Sequence, residues 1–336
     1  MSSRFASQGL RITILGAGAW GTALGIVLAR NGHRLTLWGH HPGHLEDTRR
    51  DGVNHRYLPG VVLPRDWTYE TDLLAASGDA DVVVLAVPSH AFRQTAAALR
   101  GWKGRAVVSV TKGIEFETGL TMCGVLRQEI PGVAAGALSG PTLAIEVARG
   151  IPAAVVAASQ DPEVAALTQQ LFLAPRFRVY TSTDEVGVEL GGALKNVVAI
   201  AAGVGDGLGF GDNSKAALVT RGIAEVRRIG VACGAKADSF GGLSGLGDLT
   251  VTCFSRLSRN RGLGERIGRG DSVAQVLAES VSVAEGYPTA RAAWQLARAK
   301  NVETPIIDEV YSVLYEGRQP LEAVRSLMTR DAGAEV

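Results

Sequence analysis

Lys195 is the only ionisable residue in the sixteen-residue stretch LGGALKNVVAIAAGVG, residues 190–205. An ammonium group is expensive to bury unless something pairs with it or uses it. On a helix over 188–202 its neighbours at three and four residues are Gly191, Gly192, Val198 and Ala199. Most of these are small, so the lysine projects from a recessed face that a ligand or another backbone can approach. Desolvation draws a lysine pKa toward neutrality, which suits donation of a proton to an alkoxide formed by hydride arrival. A lysine that snorkels to solvent, or pairs with a structural carboxylate, fits the same pattern. A partner stands downstream in GGLSGLGDLTVTC (241–253), where Asp248 lies beside Thr250 and Thr252. A carboxylate that follows such a Gly-rich loop can approach a helix closely, hold Lys195 and tune its charge. Next comes SRLSRNRGLGE, where Ser258, Arg259 and Asn260 offer a hydroxyl, a guanidinium fork and an amide in a row. That set suits a phosphate, although a solvated basic face has the same composition.

A second constellation lies near the start. ILGAGAWGTALGIVLARNGH contains Gly16, Gly18 and Gly21 in a G-x-G-x-x-G pattern. The pattern follows a strand-like run and opens a helix, which is the context that makes it a dinucleotide signature. Gly16 makes the tight turn, Gly18 lets the backbone approach a pyrophosphate, and Gly21 lets helix and strand pack closely. The helix N-terminus supplies free N–H groups and a positive dipole end. NAD-preferring sites usually carry an acid at the end of the second strand. Here Gly39 and His40 occupy that place and the nearest carboxylate is Glu46. His40, His41, Arg49 or Arg50 could face a 2′-phosphate, so NADPH is the expected cofactor, with NADH also admitted; a plain polar loop is the alternative. Two further strand ends carry Lys112, in VVSVTKG, and Gly140 with Thr142, in ALSGPT. Lys112 could donate to an anionic substrate or to a carbonyl. Gly140 could present a backbone N–H and Thr142 a hydroxyl.

The elements that must position these residues follow from hydrophobic pattern. Runs at 11–18, 34–39, 81–87, 106–113, 134–140, 152–159 and 176–182 are strand-like. The early ones are β-branched and lack alternation, as strands buried on both faces do. Helical patterns lie between several of them. The expected fold is a doubly wound, Rossmann-type α/β sheet domain over residues 1–184. Beyond it the strand runs stop and helical spacing takes over, so residues 185–336 are expected to form a mostly α-helical domain, frayed after Thr329.

Length and composition agree. The 336 residues suit two domains, 46% are hydrophobic and 20% charged, which reads as a globular and soluble protein. The formal net charge of +1 gives no support for a nucleic-acid or polybasic membrane binder. Cys123, Cys233 and Cys253 are far apart and lack metal-ligand spacing, which reads as free thiols in a reducing cytoplasm and implies no metal. The opening MSSRFASQGL has no apolar run of signal-peptide length, and no stretch is expected to reach the roughly 20 apolar residues of a membrane span.

The landmarks GAGAWGTALG, VPSHAF, TKGIE, SGPTLA, GGALKNVVAIAAG, GLGDLTVTC, SRNR and VAEGYPT together make the chain resemble NAD(P)-dependent glycerol-3-phosphate dehydrogenase of the bacterial soluble type. They run in the family's order from residue 14 to about residue 289. The resemblance implies reversible reduction of dihydroxyacetone phosphate to sn-glycerol 3-phosphate, which supplies the glycerophospholipid backbone. By motif position Lys195 is then the acid/base, with Asp248 beside it. Lys112, Gly140, Thr142, Asp248, Ser258, Arg259 and Asn260 would contact substrate. Ala19, Trp20, His40, Lys112, Ala144, Arg259, Val283 and Glu285 would contact the cofactor. Thr142 stands where many relatives have serine, and His40 and His41 where many have arginines. A homodimer is compatible with this reading. The rival enzyme reading is another two-domain dehydrogenase acting on a β-hydroxy acid or 6-phosphogluconate, which the Asp248 loop and SRNR oppose. A non-catalytic NADP(H)-binding protein is the rival of another class, for which an intact Lys195 and Asp248 would be an odd retention.

Overall fold

The computed structural model describes residues 9–280 and 283–331. The opening segment, expected to lack a signal peptide, and the tail expected to fray after Thr329 fall, for residues 1–8 and 332–336, outside the described residues.

Eight strands form one sheet: β1 (Arg11–Leu15), β2 (Arg34–Trp38), β3 (Thr68–Glu70), β4 (Val82–Leu85), β5 (Ala106–Ser109), β6 (Ala135–Ser139), β7 (Ala153–Ala158) and β8 (Phe177–Ser182). Their order is β3-β2-β1-β4-β5-β6-β7-β8. Every neighbouring pair is parallel except β6 and β7, which are antiparallel. The helices α1 (Ala19–Arg30), α2 (Pro42–Asp51), α3 (Leu73–Gly78), α4 (Ser89–Ala97), α5 (Met122–Glu129), α6 (Ala144–Ala148) and α7 (Pro162–Phe172) connect the strands. Ile12, Ile14, Val82 and Val84 face one apolar cluster, while Leu15, Val83, Leu85 and Val107 face a second. Burial on both faces explains why the strand runs do not alternate. β3 was not expected, because its three residues, Thr-Tyr-Glu, make no apolar run. Most strands also stop short of the runs that announce them. β1 ends at Leu15 because Gly16 turns the chain at φ 128°, a conformation that favours glycine.

The second half contains α8 (Glu185–Gly207), α9 (Asp212–Ala232), α10 (Asp248–Phe254), α11 (Arg259–Gly268), α12 (Val273–Glu279), α13 (Gly286–Ala299), α14 (Pro305–Tyr315) and α15 (Pro320–Met328). α8 corrects one expectation. Its 23 residues are long and apolar enough to cross a membrane, but 89% of its most apolar window is buried inside this protein. It is the central helix of the helical half, and its Leu194, Val197 and Val198 share one buried apolar cluster with Phe240, Leu249 and Ile307. Its glycines admit α11 at backbone distance. A Cβ on Gly203 would lie 2.0 Å from the carbonyl oxygen of Arg261, and one on Gly264 would lie 2.0 Å from that of Ile200. Neither helix can yield without moving the other. Gly264→Ala is therefore expected to destabilise the protein by about 1–3 kcal/mol, read as a lower urea midpoint. An unchanged midpoint would show that this crossing is loose.

Candidate active site

Small residues let three distant segments meet around Lys195. A Cβ on Gly191 would lie 2.9 Å from the carbonyl oxygen of Ser244, and one on Gly192 would lie 2.3 Å from Ser139 Oγ at the end of β6. The Gly-rich turn Leu243–Gly247 thus packs onto α8 and delivers Asp248 at the start of α10, only 1% exposed. Lys195 Nζ donates to Asp248 Oδ1 at 2.8 Å and to Thr252 Oγ1 at 2.6 Å. Lys112 Nζ, from the loop after β5, donates to Asp248 Oδ2 at 2.7 Å, to the carbonyl of Gly140 at 2.9 Å and to Thr142 Oγ1 at 3.3 Å. One carboxylate therefore bridges two lysines. Gly140 contributes its carbonyl to this network, where an N–H was expected.

The two ammonium groups differ in what remains of them. Each has three N–H donors. Among the described residues Lys112 directs its donors at three protein acceptors, whereas Lys195 meets two. Lys195 keeps one donor for a ligand. Burial, opposed by Asp248 and assisted by the like charge of Lys112, pulls its pKa down to about 8. An ammonium with that pKa can give up a proton near neutral pH.

The SRNR segment forms the start of α11. Ser258 is its N-cap and accepts from the N–H of Arg261 at 3.2 Å. Asn260 Nδ2 donates to Asn196 Oδ1 at 2.8 Å, and Asn260 Oδ1 accepts from the N–H of Gly286 at 2.9 Å. Asn196 Nδ2 reaches the carbonyl of Lys112 at 3.5 Å. Ser258 thus caps α11, and Asn260 ties α11 to α8 and α13, while the Ser258 hydroxyl proton and one Asn260 N–H have no protein partner among the described residues. Among the described residues the guanidinium of Arg259 makes no hydrogen bond. Arg259 is exposed as a residue, yet its head group is crowded enough by protein for desolvation to lower its pKa, with Glu285 pulling the other way. Arg259 thus sets a guanidinium fork at the N-terminus of α11, an arrangement that suits an anion.

The glycine turn lies at the reversal of strand order. β1 is flanked by β2 and β4, so a crevice opens beyond the carboxyl ends of β1 and β4. A Cβ on Gly16 would lie 2.5 Å from the carbonyl oxygen of Ala86, and one on Gly21 would lie 2.1 Å from that of Gly16. A Cβ on Gly18 would meet nothing. Gly18 is the N-cap of α1 with no side-chain cap, and Ala19 and Trp20 are the first two residues of the helix. An open, uncapped helix N-terminus at a switch point fits a dinucleotide pyrophosphate. The indole N–H of Trp20 is buried without a partner among the described residues. The His40 and His41 rings lie tilted at 44° with centroids 3.8 Å apart beyond β2. Arg49 and Arg50 sit in the last turn of α2, where Glu46 holds the first and Asp47 and Asp51 the second. Ala144 opens α6 and Val283 is exposed. Glu285 accepts from the N–H and hydroxyl of Ser89 at 3.0 and 2.6 Å.

Sequence reasoning gave no role to Thr252, Asn196 or Ser89. Thr252 stands four residues after Asp248 on the same helix face, a spacing that could have found it; the other two carry no local signal. Spacing also missed a cluster of Cys123, Glu185 and Glu189, whose ligating atoms lie within 4.8 Å of one another. Both oxygens of Glu185 accept from Arg127 at 2.7 Å, and Glu189 accepts from the N–H of Cys123 at 3.0 Å. Those bonds dock α5 on α8.

The chain matches the family models of the NAD-dependent glycerol-3-phosphate dehydrogenase N-terminus over residues 11–165 and C-terminus over residues 184–325. It is 47% identical to the NAD(P)+ glycerol-3-phosphate dehydrogenase of Chlorobium limicola over 332 residues, covering 97% of this chain and all of that protein. To that of Geobacter metallireducens it is 48% identical over 335 residues, covering 98% and 99%. The crystal structure of glycerol-3-phosphate dehydrogenase from Coxiella burnetii is similar with a TM-score of 0.92 at 36% identity, covering 96% of this chain and 99% of that one.

Proposed function

Because this chain belongs to the NAD-dependent glycerol-3-phosphate dehydrogenase family, we propose that Lys195 and Asp248 carry its reaction and that Arg259 anchors the substrate phosphate. The enzyme is an NAD(P)-dependent oxidoreductase that reversibly reduces dihydroxyacetone phosphate to sn-glycerol 3-phosphate. The bound nicotinamide cofactor supplies or accepts the hydride. Lys195 turns its free N–H toward the ketone oxygen and gives the proton that the nascent alkoxide needs. Asp248 keeps that ammonium oriented, and Thr252 holds it from a second side. Lys112, fixed by Gly140 and Thr142, adds positive charge at the substrate end and depresses the pKa of its neighbour. The side chains of Ser258 and Asn260 hold α11 so that its amides and Arg259 meet the phosphate. Gly16, Gly18, Ala19, Trp20 and Gly21 cradle the pyrophosphate, with His40 and His41 toward the ribose and Ala144, Val283 and Glu285 toward the nicotinamide end. The observation that carries this assignment is the one N–H that Lys195 retains while Lys112 retains none.

We also place the domain division at residues 184/185, supported by β8 ending at Ser182 and α8 starting at Glu185. A cytoplasmic enzyme is supported by the three unpaired thiols, and its product feeds glycerophospholipid synthesis.

The deciding assay follows cofactor absorbance with dihydroxyacetone phosphate, using NADPH and NADH in turn. kcat/KM is expected to be higher with NADPH, because no acid stands at the end of β2. Burial, then the proximity of His41, holds the His40 pKa below its ordinary value. His40 is therefore mostly neutral at neutral pH and gains charge only as pH falls. The NADPH-to-NADH ratio is expected to rise on acidification. A flat ratio near one would remove the histidines from cofactor choice, and turnover only with other keto acids would refute the substrate.

A further inference from the structure

Beyond the carboxyl end of β4, next to the strand-order reversal, one contact joins the two halves of the chain. Ser89 is the first residue of α4, immediately beyond the carboxyl end of β4. The N-cap of α4 is Pro88, which offers no side-chain cap. That vacancy is taken by Glu285, 196 positions away, from the start of the helical half's α13. The Ser89 N–H donates to one oxygen of Glu285 at 3.0 Å and its hydroxyl donates to the other at 2.6 Å. A third segment seals the junction. A Cβ on Gly113, beyond the end of β5, would lie 2.5 Å from Ser89 Cβ and 3.5 Å from Glu285 Oε2. Three residues before Ser89, the carbonyl of Ala86 abuts Gly16 of the phosphate turn. Arg259, at the start of α11, is electrostatically coupled to the same carboxylate.

We propose that Ser89 is a positioning residue: the start of α4 grips the Glu285 carboxylate through two hydrogen bonds and thereby fixes the helical half's contribution to the nicotinamide end of the cofactor site. The inference rests on the reading of Glu285 as a cofactor contact. Two features suit the grip. A carboxylate at a helix N-terminus satisfies an otherwise unpaired amide and lies at the positive end of the dipole. Both oxygens are engaged, so the carboxylate plane cannot rotate freely, and a ligand meeting Glu285 finds it preorganised. Burial pushes the Glu285 pKa up while the Ser89 bonds push it down, so the serine also favours the charged form.

The test is a double-mutant cycle with Ser89→Ala, Glu285→Ala and the pair, read as Kd for NADPH and for 2′-phospho-ADP-ribose, which lacks the nicotinamide. Loss of one hydrogen bond to a charged group should weaken NADPH on the order of tenfold in Ser89→Ala. The effect should appear in Kd and KM for NADPH more than in kcat. 2′-Phospho-ADP-ribose should bind within about twofold of wild type, since its contacts lie elsewhere. Ser89→Thr, which keeps the hydroxyl, should recover most of the loss. The pair should bind no more weakly than Glu285→Ala alone. Additive losses, or equal losses for both ligands with a lowered melting temperature, would overturn the proposal in favour of a merely structural serine. Weak binding by Glu285→Ala with wild-type binding by Ser89→Ala would overturn it while leaving Glu285 a cofactor contact. Wild-type NADPH binding by Glu285→Ala would instead refute that cofactor contact, and the positioning role with it.

Discussion

Lys195→Ala is expected to lower kcat by about a hundred- to ten-thousand-fold, the usual contribution of a general acid, with NADPH binding retained. The basis is a nearly buried ammonium with one donor left over, bonded to Asp248 and Thr252. The same geometry sets a pH dependence. Ketone reduction needs the charged form, so its kcat should be highest below the Lys195 pKa of about 8 and fall as pH rises through it. Alcohol oxidation needs the neutral amine and should rise over the same interval. Burial is the largest cause of the depressed pKa, Asp248 opposes it and Lys112 adds to it. Lys112→Met should therefore move the alkaline limb upward, besides weakening substrate. A Lys195→Ala enzyme with more than about a tenth of wild-type kcat would lie outside the range of a lost general acid and would sink the assignment.

Arg259→Ala should lower kcat/KM for dihydroxyacetone phosphate by on the order of ten- to a hundred-fold, taking roughly 1.5–3 kcal/mol for hydrogen bonds to a charged group and about 1.4 kcal/mol per tenfold. The substrate is small, so its phosphate supplies much of its binding energy, and that energy also positions the carbonyl. Within the SRNR segment Arg259 is the side chain left without a hydrogen bond or ion pair among the described residues: Ser258 caps α11, Asn260 bonds to α8 and α13, and Arg261 pairs with Asp206 and Glu265. Loss of the phosphate anchor should be selective. Activity on unphosphorylated dihydroxyacetone should change far less, and Arg259→Lys should restore only part, because lysine acts as a point charge where arginine offers a fork. Arg259 also neighbours Glu285, so NADPH binding is measured separately in each variant. Equal losses for both ketones, with NADPH binding intact, would exclude Arg259 as the anchor.

Local pattern was enough for the parts of this protein that depend on neighbours in the chain. The non-alternating strand runs, the Gly16–Gly18–Gly21 turn opening α1 and the texture change after residue 184 are statements about a few adjacent residues. Their physical causes are short-ranged: burial on two faces, a positive φ at Gly16, a helix that needs an amide-rich start. The lysine within an apolar helix was equally legible, because the cost of burying an ammonium is readable from its flanks.

The division of labour among the polar groups was not. Lys112 and Asp248 are 136 positions apart, Lys195 and Asp248 53, and Ser89 and Glu285 196. Helical periodicity relates a residue to those three or four away and carries nothing about such pairs. Only packing decided that Lys112 directs its donors to Asp248, Gly140 and Thr142, that Ser258 caps α11 and Asn260 joins it to α8 and α13, and that Lys195 keeps one N–H and Arg259 its guanidinium without a protein partner among the described residues. A hydrogen-bonding side chain has a fixed number of donors and acceptors, so what it can do chemically is what its neighbours leave unused. The chain supplies the inventory of groups, and the approach of α8, α10 and α11 at glycine distance determines which of them remain free.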